Sequence, residues 1–486
     1  MKITAIGHAA LLVEAAGVSI LSDPWWRGPC FGAQWWNHPP ARADLAAAQP
    51  LDYIYISHGH HDHLHPGTLR GLDRRAKVIV ADGLNLGEPL RALGFDVIEA
   101  ADGQSLDLGH GVSCRVMRTH GDDTLMAISD GQETCVNLND SLHSAPAEVQ
   151  QAFVQRLRTL YPVIDYVFCG YGVASHFPNC YEIPGKDRVA TAALRQRHFN
   201  RSWARLIDAL SPRFGFPFAA DVVFLEHDLA WVNEPTHNVE RPTEAFRAMH
   251  PGSPVRVIDI APGFIIEHGA VASPVLREPV RDEHLRSACA ESIERANRHG
   301  SVADADVDEV LTLVGQNLDA ARAYLASFDA DYRFLIEFHN SAQGIEVVKH
   351  GSRIDARRVP VTPASRHGYD VTYRTRLAYL KRSYTEPFGD EILFVGSGGI
   401  FSYRDAAIAR RNLHRELKFL LTRQAHAVAP RPRPGFVSLA KRAAKRVLGR
   451  EGEDLYDLGA WTVFAPDGVP TAGPSDGRGR GNAAAG

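Results

Sequence analysis

The chain has 486 residues, 45% hydrophobic and 23% charged, which is too long for one core and ordinary for a globular protein. Its formal net charge of -4 excludes the overall basic field that draws a protein to nucleic acid, so no nucleic-acid partner is expected. No apolar run approaches the roughly 18 residues of a membrane span, and the opening MKITAIGHAALLVEAAG lacks the apolar core of a secretion signal. The six cysteines, at 30, 114, 135, 169, 180 and 289, include no C-x-x-C pair, so neither a disulfide framework nor a zinc knuckle is expected and a reducing, cytoplasmic location is.

Short apolar runs bounded by Gly or Asp open the chain: Lys2-Ile3-Thr4-Ala5-Ile6, Ala10-Leu11-Leu12-Val13-Glu14 and Val18-Ser19-Ile20-Leu21. Tyr53-Ile54-Tyr55-Ile56, Ala76-Lys77-Val78-Ile79-Val80 and Phe95-Asp96-Val97-Ile98 continue the strand pattern, with a helical stretch at 88–93. Strands interleaved with helices predict a layered α/β domain. Residues 187–210 carry apolar positions every three to five residues and predict a long helix; Asp221-Val222-Val223-Phe224-Leu225 reads as a strand after it. Two further helices are expected over 280–328, with Val307, Val310, Leu311, Leu313 and Leu318 as the apolar stripe.

A second β-rich region follows. Tyr332–Phe338 alternates and is expected to pair with 344–348 across a loop containing Asn340, and 369–373 alternates again. Ile392-Leu393-Phe394-Val395 reads as a strand, and Gly396-Ser397-Gly398-Gly399 as a tight turn, since no Lys-Ser/Thr follows to make a phosphate loop. The expected organisation is a catalytic domain over 1–270, a helical connector over 271–330, a small α+β domain over 331–425, and a linker, basic helix and disordered tail over 426–486.

The chemistry concentrates in Ser57-His58-Gly59-His60-His61-Asp62-His63. Imidazole and carboxylate are the usual ligands of divalent transition metals, and a strand end presents them on a loop held by a sheet. In an extended stretch His58 and His60 project to the same side and can share one ion. Asp62 and His63 come after a turn and can reach a second ion, about 3.5–4 Å from the first in two-metal sites. A metal-dependent enzyme acting on a small-molecule substrate is expected.

H-x-H-x-D-H, read as His58, His60, Asp62 and His63, resembles the signature of the metallo-β-lactamase superfamily. Gly7-His8-Ala9-Ala10-Leu11-Leu12-Val13-Glu14 and Leu21-Ser22-Asp23-Pro24-Trp25-Trp26 resemble the opening of its ascorbate-lactonase-like and phospholipase-D-like members. The resemblance covers about residues 1–240 and implies an αββα sandwich. It also implies a lone His after a strand and a bridging Asp after another, places held by Arg118-Thr119-His120-Gly121 and Asn137-Leu138-Asn139-Asp140. On that basis His58, His60 and His120 hold one metal, Asp62 and His63 a second, and Asp140 bridges; Asp62 or Asp140 orients the nucleophile. Zinc is the metal expected, with iron and manganese as alternatives.

The family also supplies a late His after the strand that follows the long helix. Here Phe216-Pro217-Phe218 runs into Ala219-Ala220-Asp221 with no His at that spot. His227 is taken as the substitute, with Asp221, His176 and His237 as alternatives. The Asp23-Pro24-Trp25, Asn139-Asp140 and Pro217-Phe218-Ala219 segments further resemble the lactamase-fold part of CMP-N-acetylneuraminate hydroxylase, an oxygenase that carries a Rieske cluster. No cysteine here has a His two or three positions on, so the cluster's ligand pattern is absent from this sequence. The leading expectation is a dinuclear hydrolase of an ester, amide or phosphoester; the alternative is a di-iron oxygenase on the same scaffold.

Two side features complete the reading. Trp25, Trp26, Phe31, Trp35 and Trp36 form an aromatic cluster that is either a stacking platform for substrate or a packed loop. Residues 436–448 set Phe436, Ala440 and Val447 opposite Lys441, Arg442, Lys445 and Arg446, the pattern of a surface helix or of peripheral contact with anionic lipid. The sequence does not choose an oligomeric state.

Overall fold

A computed structural model of the protein describes residues 1–428 apart from 49, 173, 174, 221, 276–278, 412, 425 and 427. The basic segment 436–448 and Asp221 therefore lie outside the described residues. Contacts divide the chain into two compact units, Met1–Ala174 with Ala193–Asn297, and Ser175–Ala192 with the chain from Arg298 onward.

The first unit is an αββα sandwich. One sheet has eight strands in the order Ala270–Ser273, Ile265–Glu267, Lys2–Gly7, Ala10–Ala15, Val18–Ser22, Tyr53–Tyr55, Lys77–Ala81, Val97–Ala100. The other has seven, in the order Arg256–Val257, Phe214–Phe218, Tyr166–Gly170, Thr134–Asn139, Thr124–Ser129, Val112–Arg118, Ser105–Gly109. Side-chain alternation decides which face packs where. Val116, Met126, Ile128, Phe168 and Phe216 enter one buried cluster with Leu12, Ile54 and Val78 of the first sheet. Their neighbours Met117, Leu125, Ala127 and Val167 point the other way and pack against Trp203, Leu206, Ile207 and Leu210 of the helix Arg188–Leu210.

In both sheets the strands from the middle outward are parallel: Val18–Ser22, Tyr53–Tyr55 and Lys77–Ala81 in one, Thr134–Asn139, Tyr166–Gly170 and Phe214–Phe218 in the other. Parallel strands end on the same edge, where ligands and catalytic groups of α/β folds collect. His8, Asp23, the 57–63 loop, Asp140 and Ala219 all follow the ends of strands.

The strand Val222–Phe224 joins neither sheet of the sandwich; it pairs with Trp35–Asn37 as a two-stranded ribbon. The helices Asp282–Ala288 and Ala290–Asn297 stay with this unit, since Leu285 and Ala296 share a buried cluster with Trp36, Val223 and Leu225. The boundary expected near 270 therefore falls at 297 by packing.

The second unit is built on a six-stranded sheet in the order Tyr181–Glu182, Gly399–Tyr403, Val371–Thr375, Tyr332–Phe338, Gln343–His350, Arg353–Pro360. The anticipated hairpin is present, with Ile336 opposite Ile345 and Asn340 at φ 57° in its turn. Residues 175–192 belong to this unit because Tyr181 pairs with Phe401. The helix Asp304–Leu325 buries Val307, Val310, Val314, Leu318, Ala321 and Leu325 as a stripe. Ile392 to Phe394 is not a strand but part of the short helix Glu391–Phe394. A buried apolar run of four residues satisfies either pattern, and periodicity cannot separate them. Among the described residues no helix is long and apolar enough to cross a membrane.

Candidate metal centre

The 57–63 loop is tied down before it offers any ligand. Asp23, fully buried just past Val18–Ser22, accepts hydrogen bonds from the Ser57 N–H at 2.8 Å and the Ser57 hydroxyl at 2.7 Å. The Asp23 carboxylate also lies 2.9 Å from His63 Nδ1. Thr124 Oγ1, on the facing sheet, donates to Ser57 O at 2.6 Å, and the His63 and Leu64 N–H groups close a turn on His60 O at 3.0 and 2.8 Å. With Nδ1 engaged by Asp23, the other ring nitrogen of His63 faces the opposite side. A carboxylate behind a histidine in this way fixes its tautomer and ring orientation.

On that side His63 Nε2 lies 3.3 Å from Asp62 Oδ2 and 3.3 Å from Asp140 Oδ2. Metal–nitrogen bonds of about 2.0–2.1 Å put tetrahedral ligand atoms about 3.3–3.4 Å apart, so these spacings suit donors around a common ion. His63 Nε2, Asp62 Oδ1 and Asp140 Oδ1 are buried and have no hydrogen-bond partner, which leaves them available as ligands. His58 Nε2 and His60 Nδ1 meet at 2.8 Å, and the His58 and His63 rings lie 4.1 Å apart by centroid. Two overlapping donor groups result, His58 with His63 and Asp140, and His8 with Asp62 and His63. The residue set fits a divalent metal.

Electrostatics favour cations here. Burial works to lower the affinity of His63 for a proton, but the carboxylates of Asp62, Asp140 and Asp23 outweigh it and hold that imidazole well above its ordinary pKa. Burial would raise Asp62 and Asp140, yet the charge of His63 keeps both below the usual carboxylate range, with His8 helping. His58 is pushed well down by burial and by His63 and His60; burial lowers His60 as well. Those two are therefore neutral at pH 7, the state in which an imidazole binds metal.

Asp140 follows the strand Thr134–Asn139 after Asn139 at φ 49°. Its neighbour across the parallel pairing is Gly170, where a Cβ would fall 2.7 Å from Asn139 O and 3.1 Å from Asp140 Oδ1. Only glycine fits beside that carboxylate.

The sequence brought His58, His60, Asp62, His63 and Asp140 to this place, and the structure gathers them. His120 and His227 are not brought to it. The Thr119 N–H and hydroxyl both donate to Asp123 O, at 2.9 and 3.0 Å, so the turn closes tightly with His120 on its exposed tip. Asp123 is instead the residue of that turn near the centre, its Oδ1 3.9 Å from His58 Nε2. His227 lies beyond the two-stranded ribbon and is exposed, its N–H donating to Asn297 Oδ1 at 2.9 Å. Of the alternatives, His237 faces Val222 O at 2.7 Å and His176 belongs to the second unit.

The residues that sequence reasoning missed as site members are His8, Asp23 and Asp123. His8 Nε2 sits 2.9 Å from Asp62 Oδ2. The signal for His8 and Asp23 was their place directly after strands that end on the site edge. The aromatic cluster is a packed wall: Trp25, Phe31, Trp35 and Trp36 are buried, with Trp25 edge-on to His8 at 5.2 Å and Phe31 stacked on His61 at 5.4 Å. His65 accepts from the Thr68 N–H at 3.1 Å and caps the helix Pro66–Leu69.

A sandwich of this layering with histidines and carboxylates on one edge defines the metallo-β-lactamase fold class. Residues 2–136 match the family described as the beta-lactamase superfamily domain. A putative Rieske 2Fe-2S iron–sulfur protein of Mycolicibacterium smegmatis is 30% identical over 251 residues, 48% of this chain and 46% of the relative. The cytidine monophosphate-N-acetylneuraminic acid hydroxylase of Danio rerio is 36% identical over 76 residues, 15% of this chain and 13% of that protein. The chain thus spans less than half the length of the curated relatives it matches. Among solved structures, Igni18, a metallo hydrolase from Ignicoccus hospitalis, aligns with a TM-score of 0.36 and 19% identity over 55% of this chain and 97% of that one.

Proposed function

We propose that the centre is a dinuclear metal site and that the protein is a hydrolase of an ester, amide or phosphoester bond in a small molecule. The observation that carries this reading is that His63 belongs to two donor groups at once, one completed by His58 and Asp140 and the other by His8 and Asp62, with His60 beside His58. In this reading His58 and His60 would hold one ion, with Asp123 beside them, Asp62 and His63 would hold the other, and Asp140 would be available to both. Bound divalent ions supply Lewis acidity and a water that is nucleophilic at neutral pH.

The chain's own part is orientation and proton handling. Asp23 holds His63 rigid from behind, so the imidazole loses no ordering entropy when it binds. Asp140, partly exposed beside the donors, would orient the attacking water. The Trp25–Trp35 wall keeps the His8 side dry and strengthens the electrostatics there.

Similarity to an N-acetylneuraminic acid hydroxylase favours one second reading, a di-iron oxygenase on the same residues. The test is to load the full chain with zinc, manganese or iron and screen esters, lactones, amides and phosphodiesters, with and without chelator. Chelator-sensitive hydrolysis supports the hydrolase. No hydrolysis with any metal, together with an oxygen-dependent product from the iron form, overturns it in favour of the oxygenase.

A further inference from the structure

Among the described residues, chemistry outside the proposed function gathers at the buried Lys349–Glu416 pair at 3.0 Å in the second unit, at the exposed Arg333 and Arg357 around Glu346, and at His8. Lys349 is already spoken for by the carbonyls of Phe328 and Ala330 at 2.6 and 3.0 Å, and both carboxylate oxygens of Glu346 are engaged by Arg333 and Arg357. His8 is different, because its partners are the proposed ligands themselves.

We propose that His8 is a ligand of the second ion, alongside Asp62 and His63. This rests on the dinuclear reading. Three observations support it. First, His8 Nε2 and His63 Nε2 converge on one carboxylate oxygen, Asp62 Oδ2, at 2.9 and 3.3 Å, and one donor atom from each of the three residues lies within 4.8 Å of the others. His8 Nε2 is at hydrogen-bond distance from Asp62 Oδ2 here, and a small shift to the spacing of about 3.3–3.4 Å between ligand atoms would set all three donors about one ion.

Second, the histidine and the alanine are structural neighbours. Ala219 follows the strand Phe214–Phe218, and its N–H donates to the carbonyl of His8 at 3.2 Å. A methyl group at 219 cannot ligate a metal. The turn that touches that strand end carries the imidazole of His8.

Third, His8 is held where it is. It occupies the turn between Lys2–Gly7 and Ala10–Ala15 at φ 42°, is 4% exposed, and packs edge-on against Trp25 and Trp35 at 5.2 and 6.4 Å. A left-handed conformation at a non-glycine residue is maintained only where surrounding structure enforces it.

The discriminating variant is His8→Gln, whose amide N–H can still donate to Asp62 but which is a poor metal ligand. Metal stoichiometry and competition titrations on the full chain, with X-ray absorption of the bound metal, give readouts independent of turnover. Loss of a residue that only orients a ligand costs about 10–100-fold in affinity, so loss of a ligand should exceed about 100-fold. The expected result is two ions in the parent, and in His8→Gln a loss of more than about 100-fold for one ion only, with fewer histidine scatterers per metal. His8→Ala should behave alike, with circular dichroism checking that each variant is folded. Two ions bound by His8→Gln within about tenfold of parent affinity overturns the proposal while the dinuclear reading stands. Fewer than two ions in the parent removes both.

Discussion

Asp23 Oδ2 lies 2.9 Å from His63 Nδ1, and both groups are fully buried. This pair decides where the other nitrogen of His63 points, and with it where Asp62 and Asp140 find a common partner. Asp23→Asn keeps the shape and removes the charge, so metal affinity should fall about 10–100-fold with the fold intact. Asp23→Ala also strands the buried Ser57 N–H and should cost about 1–3 kcal/mol in a denaturant titration. Parent-like affinity in Asp23→Asn would show that His63 needs no orienting partner.

Protons should leave when metal arrives. In the metal-free protein His63 is held protonated at pH 7, whereas His58 and His60 are held neutral. Metal binding should therefore release about one proton from the histidines, and affinity should rise with pH. Calorimetry in buffers of different ionisation enthalpy measures this directly; uptake that releases no proton contradicts the placement of His63. The sign for stability is the complementary one. The raised pKa of His63 stabilises the metal-free fold below the unfolded histidine value of about 6.5, and that gain is lost as pH rises through the folded value.

Asp123 is pushed up to about 7, by burial first and then by Asp140. A carboxyl raised on folding stabilises the fold at pH below its unfolded value of about 3.9 and loses that contribution as pH rises through about 7. Asp123→Asn should accordingly match the parent near pH 4 and melt a few degrees higher than it at pH 8, both metal-free. An unchanged difference in Tm across that range would remove Asp123 from the electrostatics of the centre.

His120 and His227 are exposed and belong to neither donor group, so His120→Ala and His227→Ala should leave metal stoichiometry and affinity as they are. Gly170→Ala should do the reverse. Its new methyl meets Asn139 O and Asp140 Oδ1, so metal binding weakens and stability drops by about 1–3 kcal/mol. Metal titration of the three variants side by side checks all of it.

The contrast between these variants shows where sequence and structure part. The 57–63 cluster was legible because five ligand-type residues crowd one loop at a strand end, a local signal. The αββα layering was legible from strand-like runs interleaved with helices together with the family signature. Of the outlying residues Asp140 was legible from the family resemblance, but His8 and Asp123 were not, because they are separated from the cluster by long stretches of chain and their spacing alone does not say which way a loop turns. The Thr119–Asp123 turn brings Asp123 toward His58 rather than His120, and Val222–Phe224 leaves the sandwich for Trp35–Asn37, carrying His227 away. His8 was quoted as part of a family opening, but its meeting with Asp62 depends on a strand register 54 residues distant.

The central claim is that this edge of the sandwich holds two metal ions among His58, His60, Asp62, His63 and Asp140. Metal content of the full chain after reconstitution and desalting tests it most directly, by mass spectrometry of the element against protein concentration, with Asp140→Ala and the double variant Asp62→Ala/His63→Ala as partners. Two ions in the parent, none or one in Asp140→Ala, and one in the double variant is the predicted pattern. A parent that retains no metal, or a double variant that still binds two, contradicts it.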